Sequence, residues 1–89
     1  MFLEITNATY IADYRIKLEF NNGEILTVDL EHELNGSAFL PLKDKVRFKQ
    51  FSIVFNTIEW ENGADFAPEY LYDIARFQNQ IASEPNITY

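Results

Sequence analysis

Cysteine is absent from this 89-residue chain, which removes a disulfide framework, a thiolate nucleophile and a thiolate metal site together. Basic residues are scarce: 7 stand against 14 acidic ones, for a formal charge of −7 at pH 7. A surface of that sign repels phosphate backbones and favours basic partners or plain solubility. Glycine and proline number only three each, and no low-complexity tract, linker or internal repeat interrupts the chain. No apolar run approaches the ~20 residues of a membrane span. Met1-Phe2-Leu3-Glu4 lacks the basic-then-apolar layout of a signal peptide. The expected setting is cytoplasmic, without membrane contact, which makes the sequon Asn86-Ile87-Thr88 a chance match.

What the chain does have is apolar payload. Hydrophobic residues make up 47%, with eight Phe, five Tyr and one Trp. That supports one domain over residues 1–89, because two halves would each fall below the size at which a core offsets chain entropy. A domain this small buries roughly 60% of its unfolded surface.

Strand signals dominate the first third. Ile5 to Ala12 reads as a strand, and Tyr14-Arg15-Ile16-Lys17-Leu18-Glu19-Phe20 alternates apolar and charged, the mark of a strand with one wet face. Leu26-Thr27-Val28-Asp29-Leu30 alternates likewise. A two-residue loop at Asn22-Gly23 would mix the two faces. A three-residue loop over Asn21 to Gly23 instead aligns Leu18 with Leu26, Ile16 with Val28 and Arg15 with Asp29. The expected turn is therefore the longer one, with Gly23 left-handed.

Further along, Glu31 to Leu34 predicts one helical turn ended by Asn35-Gly36-Ser37. Asp44 is a good N-cap for a short helix over about Lys45 to Gln50, anchored in the core by Phe48. Phe51 to Phe55 and Ile58 to Trp60 predict a hairpin turning at Asn56-Thr57, with Ile53 opposite Trp60 and Phe55 opposite Ile58. Pro68 suits the first turn of a last helix, which should stop before Pro85. Tyr70, Ile74, Phe77 and Ile81 recur at helical spacing as its core stripe, with Leu71 flanking. The predicted architecture is α+β: an antiparallel sheet built from hairpins, a short middle helix and a C-terminal helix packed on one face.

Candidate chemistry is thin. His32, between Glu31 and Glu33, has no companion ligands at metal-binding spacing and reads as a solvated turn residue. Glu61, Asp65, Glu69 and Asp73 gather near a helix start, where acids favour the N-terminal dipole and Asp65 ties a turn. Lys43, Lys45, Arg47 and Lys49 concentrate basic charge, but every-second spacing fans it around a helix. Ser37, Ser52 and Ser83 show no nucleophile arrangement. No catalytic residue, metal or cofactor is expected.

The segments Phe20-Asn21-Asn22-Gly23, Val28-Asp29-Leu30, Leu34, Phe39 to Asp44, Phe48, Trp60 to Asp65 and Pro68 to Tyr72 together resemble a family of small bacterial domains. It is the domain-of-unknown-function family 2442, with a fold similar to a nitrosomonad N-terminal domain. The resemblance covers roughly residues 5 to 75 and is most specific at Asn62-Gly63-Ala64-Asp65, Pro68 and Leu71-Tyr72. Members often carry proline where this chain has Glu61 and Lys45. Both departures affect turn rigidity and leave the fold intact.

The family has no established catalytic residues to carry over. The resemblance implies a partner of a second small protein in toxin–antitoxin-like modules. Some relatives carry an appended helix-turn-helix, for which this sequence is expected to have no room. The leading expectation is a non-enzymatic interaction domain, antitoxin-like, with a small and basic protein partner. Its expected contact surface is Trp60, Asn62, Asp65, Phe66 and Tyr72, together with an exposed sheet edge through which a homodimer is also open. The alternatives are a transcriptional accessory meeting DNA through Lys43–Lys49, and a small-ligand sensor or enzyme using carboxylates near Asp65.

Overall fold

The two hairpin signals become two separate sheets. A computed structural model of the chain describes residues 2–82. Strands β1 (Ile5–Ala12), β2 (Arg15–Phe20) and β3 (Ile25–Asp29) form an antiparallel sheet in that order, while β4 (Phe51–Val54) and β5 (Thr57–Trp60) form a second. Single helical turns connect them: a 3-10 turn at Glu31–Glu33, α1 (Gly36–Phe39), another 3-10 turn at Leu40–Lys43, and α2 (Lys45–Phe48). Helix α3 (Pro68–Ala82) packs on the first sheet. The class is α+β, as the patterning predicts. Ser83, Pro85 and the sequon lie outside the described residues.

The β2–β3 hairpin has the predicted register, with Arg15↔Asp29, Ile16↔Val28 and Leu18↔Leu26. Gly23 takes φ +91°, its amide donates to the Phe20 carbonyl (3.0 Å), and the Phe20 amide donates to the Glu24 carbonyl (2.9 Å). A second turn repeats this geometry. Gly63 takes φ +87°, its amide donates to the Trp60 carbonyl (2.9 Å), and the Trp60 amide donates to the Ala64 carbonyl (2.9 Å). In both, the asparagine before the glycine accepts the amide two residues on, at 2.9 Å for Asn22 and 3.1 Å for Asn62. Aromatic-X-Asn-Gly is thus one local solution used twice.

The two-stranded sheet is not stable alone. Phe48, capped into place by Asp44 accepting the Val46 amide (3.0 Å), joins it to the first. Its ring meets Tyr14 edge-on at 5.2 Å and Trp60 at 5.6 Å, and its carbonyl accepts the Trp60 indole N–H at 2.8 Å. Ile16, Leu18, Val28 and Leu30 from the first sheet and Ile58 from the second are fully buried with them.

Three expectations are corrected. First, β4 and β5 pair two residues away from the predicted register, with Phe51↔Trp60 and Ile53↔Ile58. The turn is Phe55-Asn56, both at positive φ (50° and 69°), the two-residue geometry whose twist matches a hairpin. Phe55 consequently leaves the core. Second, Gly36 and Ser37, expected only to end the preceding helical turn, open α1, and Leu40–Lys43 follows as a 3-10 turn.

Third, α3 turns a different side inward. Leu71 and Ala75 are fully buried, Ile74 is half-buried, and Tyr70 and Phe77 are 46% and 64% exposed. The Ile81 side chain lies outside the described residues. Polar chemistry at the sheet margin explains the rotation. Gln78 accepts the Asp29 amide (2.8 Å) and donates to the Asp29 carbonyl (2.9 Å), while Asn79 donates to the Thr27 carbonyl (3.0 Å). The helix thereby satisfies an edge strand as a neighbouring strand would.

Gln78→Ala should lower unfolding free energy by about 1–2 kcal/mol, because both Asp29 groups then face the helix unpaired. Gly63→Ala should cost a similar ~1–2 kcal/mol from backbone torsion, since an added Cβ would meet nothing within 4 Å. Urea unfolding followed by Trp60 fluorescence measures both. An unchanged midpoint for Gln78→Ala would mean that the edge clamp contributes nothing.

Candidate interaction site

The segment from Trp60 to Tyr72 is built into the domain before it can meet anything else. Asn62 donates from Nδ2 to the Ala38 carbonyl (2.8 Å), tying its turn to α1, and Glu59 bridges Asp65. Trp60 is 2% exposed. Phe66 is stacked between Phe39 at 4.5 Å and Tyr70 at 5.7 Å, and its carbonyl accepts the buried Thr57 hydroxyl at 2.6 Å. Tyr72 lies edge-on to Phe20 at 5.2 Å; its hydroxyl donates to Glu24 and accepts from Arg76 at 2.9 Å. Of the five predicted surface residues, Asn62 and Asp65 are therefore exposed, Tyr72 is half-buried, and Trp60 and Phe66 are core. Tyr70, expected in the core stripe, is 46% exposed because α3 is rotated.

The carboxylates near the turn do not assemble. Glu61, Asp65 and Glu69 are each exposed. Glu61 lines a hollow of about 360 Å3 with Leu42, Arg47, Gln50 and Asn62, and Asp65 is not among its walls. Among the described residues no three His, Cys, Asp or Glu side chains come together as a cation site. His32 is exposed, and its carbonyl accepts from Asn35 (3.1 Å).

The basic segment divides as its spacing predicts. Lys45 and Lys49 stand over the rings of Tyr14 (5.5 Å) and Tyr10 (5.3 Å), whereas Arg47 lines the hollow beside Glu61. Asp13 lies 3.2 Å from Lys45 and 3.5 Å from Arg15. The Lys45 ammonium, hydrogen-bonded to it, holds the Asp13 carboxyl below its ordinary value, and Asp13 in turn raises Lys45.

A groove of about 750 Å3 opens where β3, the Glu31–Glu33 turn and α3 meet. Ile74 and the exposed Phe77 give it an apolar floor, and Asp29, Glu33 and Asp73 stand around them together with Arg15 and His32. Glu33 accepts the Tyr70 phenol, a hydrogen bond that raises Tyr70 above its ordinary value and keeps it a donor. The groove offers carboxylates beside an open aromatic ring, the complement of an apolar side chain flanked by lysine or arginine. Four separate elements, β2 among them through Arg15, supply its walls, so no local motif announced it. Asp73 was grouped with Asp65, and Phe77 was assigned to the core.

The family described as "Protein of unknown function (DUF2442)" matches residues 5–77. The chain belongs to the DUF2442 family. Both aromatic-X-Asn-Gly turns and most of α3 fall inside the matched span. No curated protein matches this DUF2442 chain. Among solved structures, the crystal structure of a "Putative DNA Binding Protein" from Nitrosomonas europaea is similar, with a TM-score of 0.76 and 24% identity. The likeness covers 90% of this chain and 53% of that one, so the DUF2442 chain spans about half the length of that neighbour. At such identity the likeness shows the fold.

A depressed carboxyl stabilises the fold above its unfolded value and loses that contribution as pH falls through its folded value. The urea midpoint of the wild type should therefore fall faster than that of Asp13→Asn below about pH 4. Raised Lys45 contributes with the opposite sign, and its share disappears only above about pH 10. The groups are exposed, so the acid difference should be small and should shrink in high salt. Parallel curves for the two proteins at low salt would remove the pair from the account.

Proposed function

We propose that this DUF2442 chain is a protein-interaction domain that receives a small basic partner, the antitoxin-like half of a two-protein module. The observation that carries this reading is the groove: Phe77 and Ile74 lie open among Asp29, Glu33 and Asp73, in a chain whose charge is −7. Exposed aromatic anchors ringed by complementary charge are where binding energy concentrates, and the charge speeds encounter with a basic protein. A partner that carries an apolar side chain beside lysine or arginine would bury Phe77 and neutralise the rim.

The paired variant Asp73→Lys with Phe77→Ala should weaken such a partner at least about tenfold, since both sites are exposed and the fold should persist. Capture from the source cells at native expression, followed by titration of the recovered protein, measures it. Recovery of a basic protein by the wild type and its loss with the variant is expected. Equal recovery by both, or no specific protein at all, would contradict the reading.

A second reading is contact with DNA through Lys43–Lys49. Lys45 and Lys49 stand over Tyr14 and Tyr10, and the Nitrosomonas europaea neighbour carries a DNA-binding description. Against it stands the overall acidity. Duplex binding by this chain that falls steeply with salt, and is lost when the Lys43–Lys49 cations are replaced, would favour it. Absence of binding at low salt would remove it.

A further inference from the structure

Three of the four sheet margins are guarded, β5 by its bridge from Glu59 to Asp65 and the bond from the Trp60 amide to the Ala64 carbonyl. β3 is clamped by Gln78 and Asn79. β1 is interrupted by two register shifts, and its Ile5 amide donates to the Asn56 carbonyl (2.8 Å). β4 has none of these devices. Its sequence, Phe51 to Val54, continues through the turn to Ile58 without a charge or a proline, although natural edges carry such residues to prevent pairing with other chains.

Hydrogen-bond direction identifies which backbone groups β4 leaves open. Trp60 donates its amide to Ala64, away from β4. Its cross-strand partner Phe51, and Ile53 two residues on, must then turn their N–H and C=O groups away from β5. Among the described residues nothing bonds to those outward groups. Ile53 is 41% exposed and Phe55 92% exposed.

Phe55 adds a second, independent cost. It occupies φ +50° at the hairpin tip, where asparagine or glycine would sit with less strain and a bulky residue is an outlier. The fold gains no burial from its ring. Two unfavourable choices at one position point to a contact that repays them.

We propose that β4 pairs antiparallel with β4 of a second copy, about a two-fold axis through Ile53, to make a four-stranded sheet across a homodimer. This register places Ile53 opposite the partner's Ile53 and Phe51 opposite the partner's Phe55. The outward N–H and C=O groups of Ile53 then pair with those of the partner's Ile53, while Phe51 faces the ring of the partner's Phe55 at its hairpin tip. Aromatic and β-branched pairs are the favourable cross-strand combinations. Self-complementarity selects a second copy as the occupant: a two-fold through Ile53 sets apolar residues opposite apolar ones, and between residues 51 and 58 no like charges meet across the axis to oppose it. The pairing leaves the groove beside α3 untouched, so it stands apart from the proposed function.

Sedimentation equilibrium across concentrations bracketing roughly 10 μM tests the dimer, with amide exchange reading the edge itself. The wild type should dimerise, and the Ile53 amide should become protected as it does so. Ile53→Lys sets two ammonium groups face to face and should raise the dissociation constant at least tenfold. Phe55→Gly relieves the backbone, so it should weaken the dimer while holding or raising the urea midpoint of the dilute monomer. It decides the question if Ile53→Lys fails to fold. A wild type that stays monomeric throughout would overturn the proposal. So would a dimer indifferent to the folded variants, or one in which the Ile53 amide exchanges freely.

Discussion

The indole of Trp60 and the backbone of Phe48 hold this domain together. One sheet of three strands and one of two share few direct backbone bonds, and the two-stranded one does not persist alone. The 2.8 Å bond from Trp60 Nε1 to the Phe48 carbonyl fixes α2 against β5. Tyr14 packs on one side of Phe48, and Phe66 meets the Trp60 ring edge-on at 5.9 Å, so a continuous aromatic row crosses from the first sheet to the start of α3. In a domain of 89 residues without disulfides, aromatic burial must supply what size and cross-links do not.

That arrangement explains why the Trp60–Tyr72 stretch stands out in sequence while offering little surface. A glycine at positive φ, an asparagine that satisfies both its own turn and α1, and two buried rings are architectural requirements. The surfaces proposed for binding lie elsewhere, along the groove beside α3 and the uncharged margin of β4.

How far the fold was legible followed local physics. In β2 and β3 charged and apolar residues alternate, so a slipped register would bury Lys17 or Asp29, and the pairing could be derived. In β4 and β5 almost every residue is apolar or neutral, both faces look alike, and the turn preference of Phe55-Asn56 decided against the expected pairing. The face of α3 was misjudged because aromatic spacing outweighed Gln78 and Asn79, whose inward role depends on an edge strand fifty residues earlier in the chain. The groove shares that dependence on distant elements. The division of Lys45, Lys49 and Arg47 around α2, by contrast, followed directly from helical spacing.

The central claim is that the two sheets form one cooperative unit through Phe48 and Trp60. Equilibrium unfolding in urea, followed at once by Trp60 fluorescence and far-ultraviolet circular dichroism, tests it directly. Trp60 reports the β4–β5 side and the dichroism reports the whole backbone, so superimposable transitions with one midpoint and one slope are predicted. A fluorescence change completed while the remaining secondary structure still stands would show that the sheets fold independently, and would contradict the account.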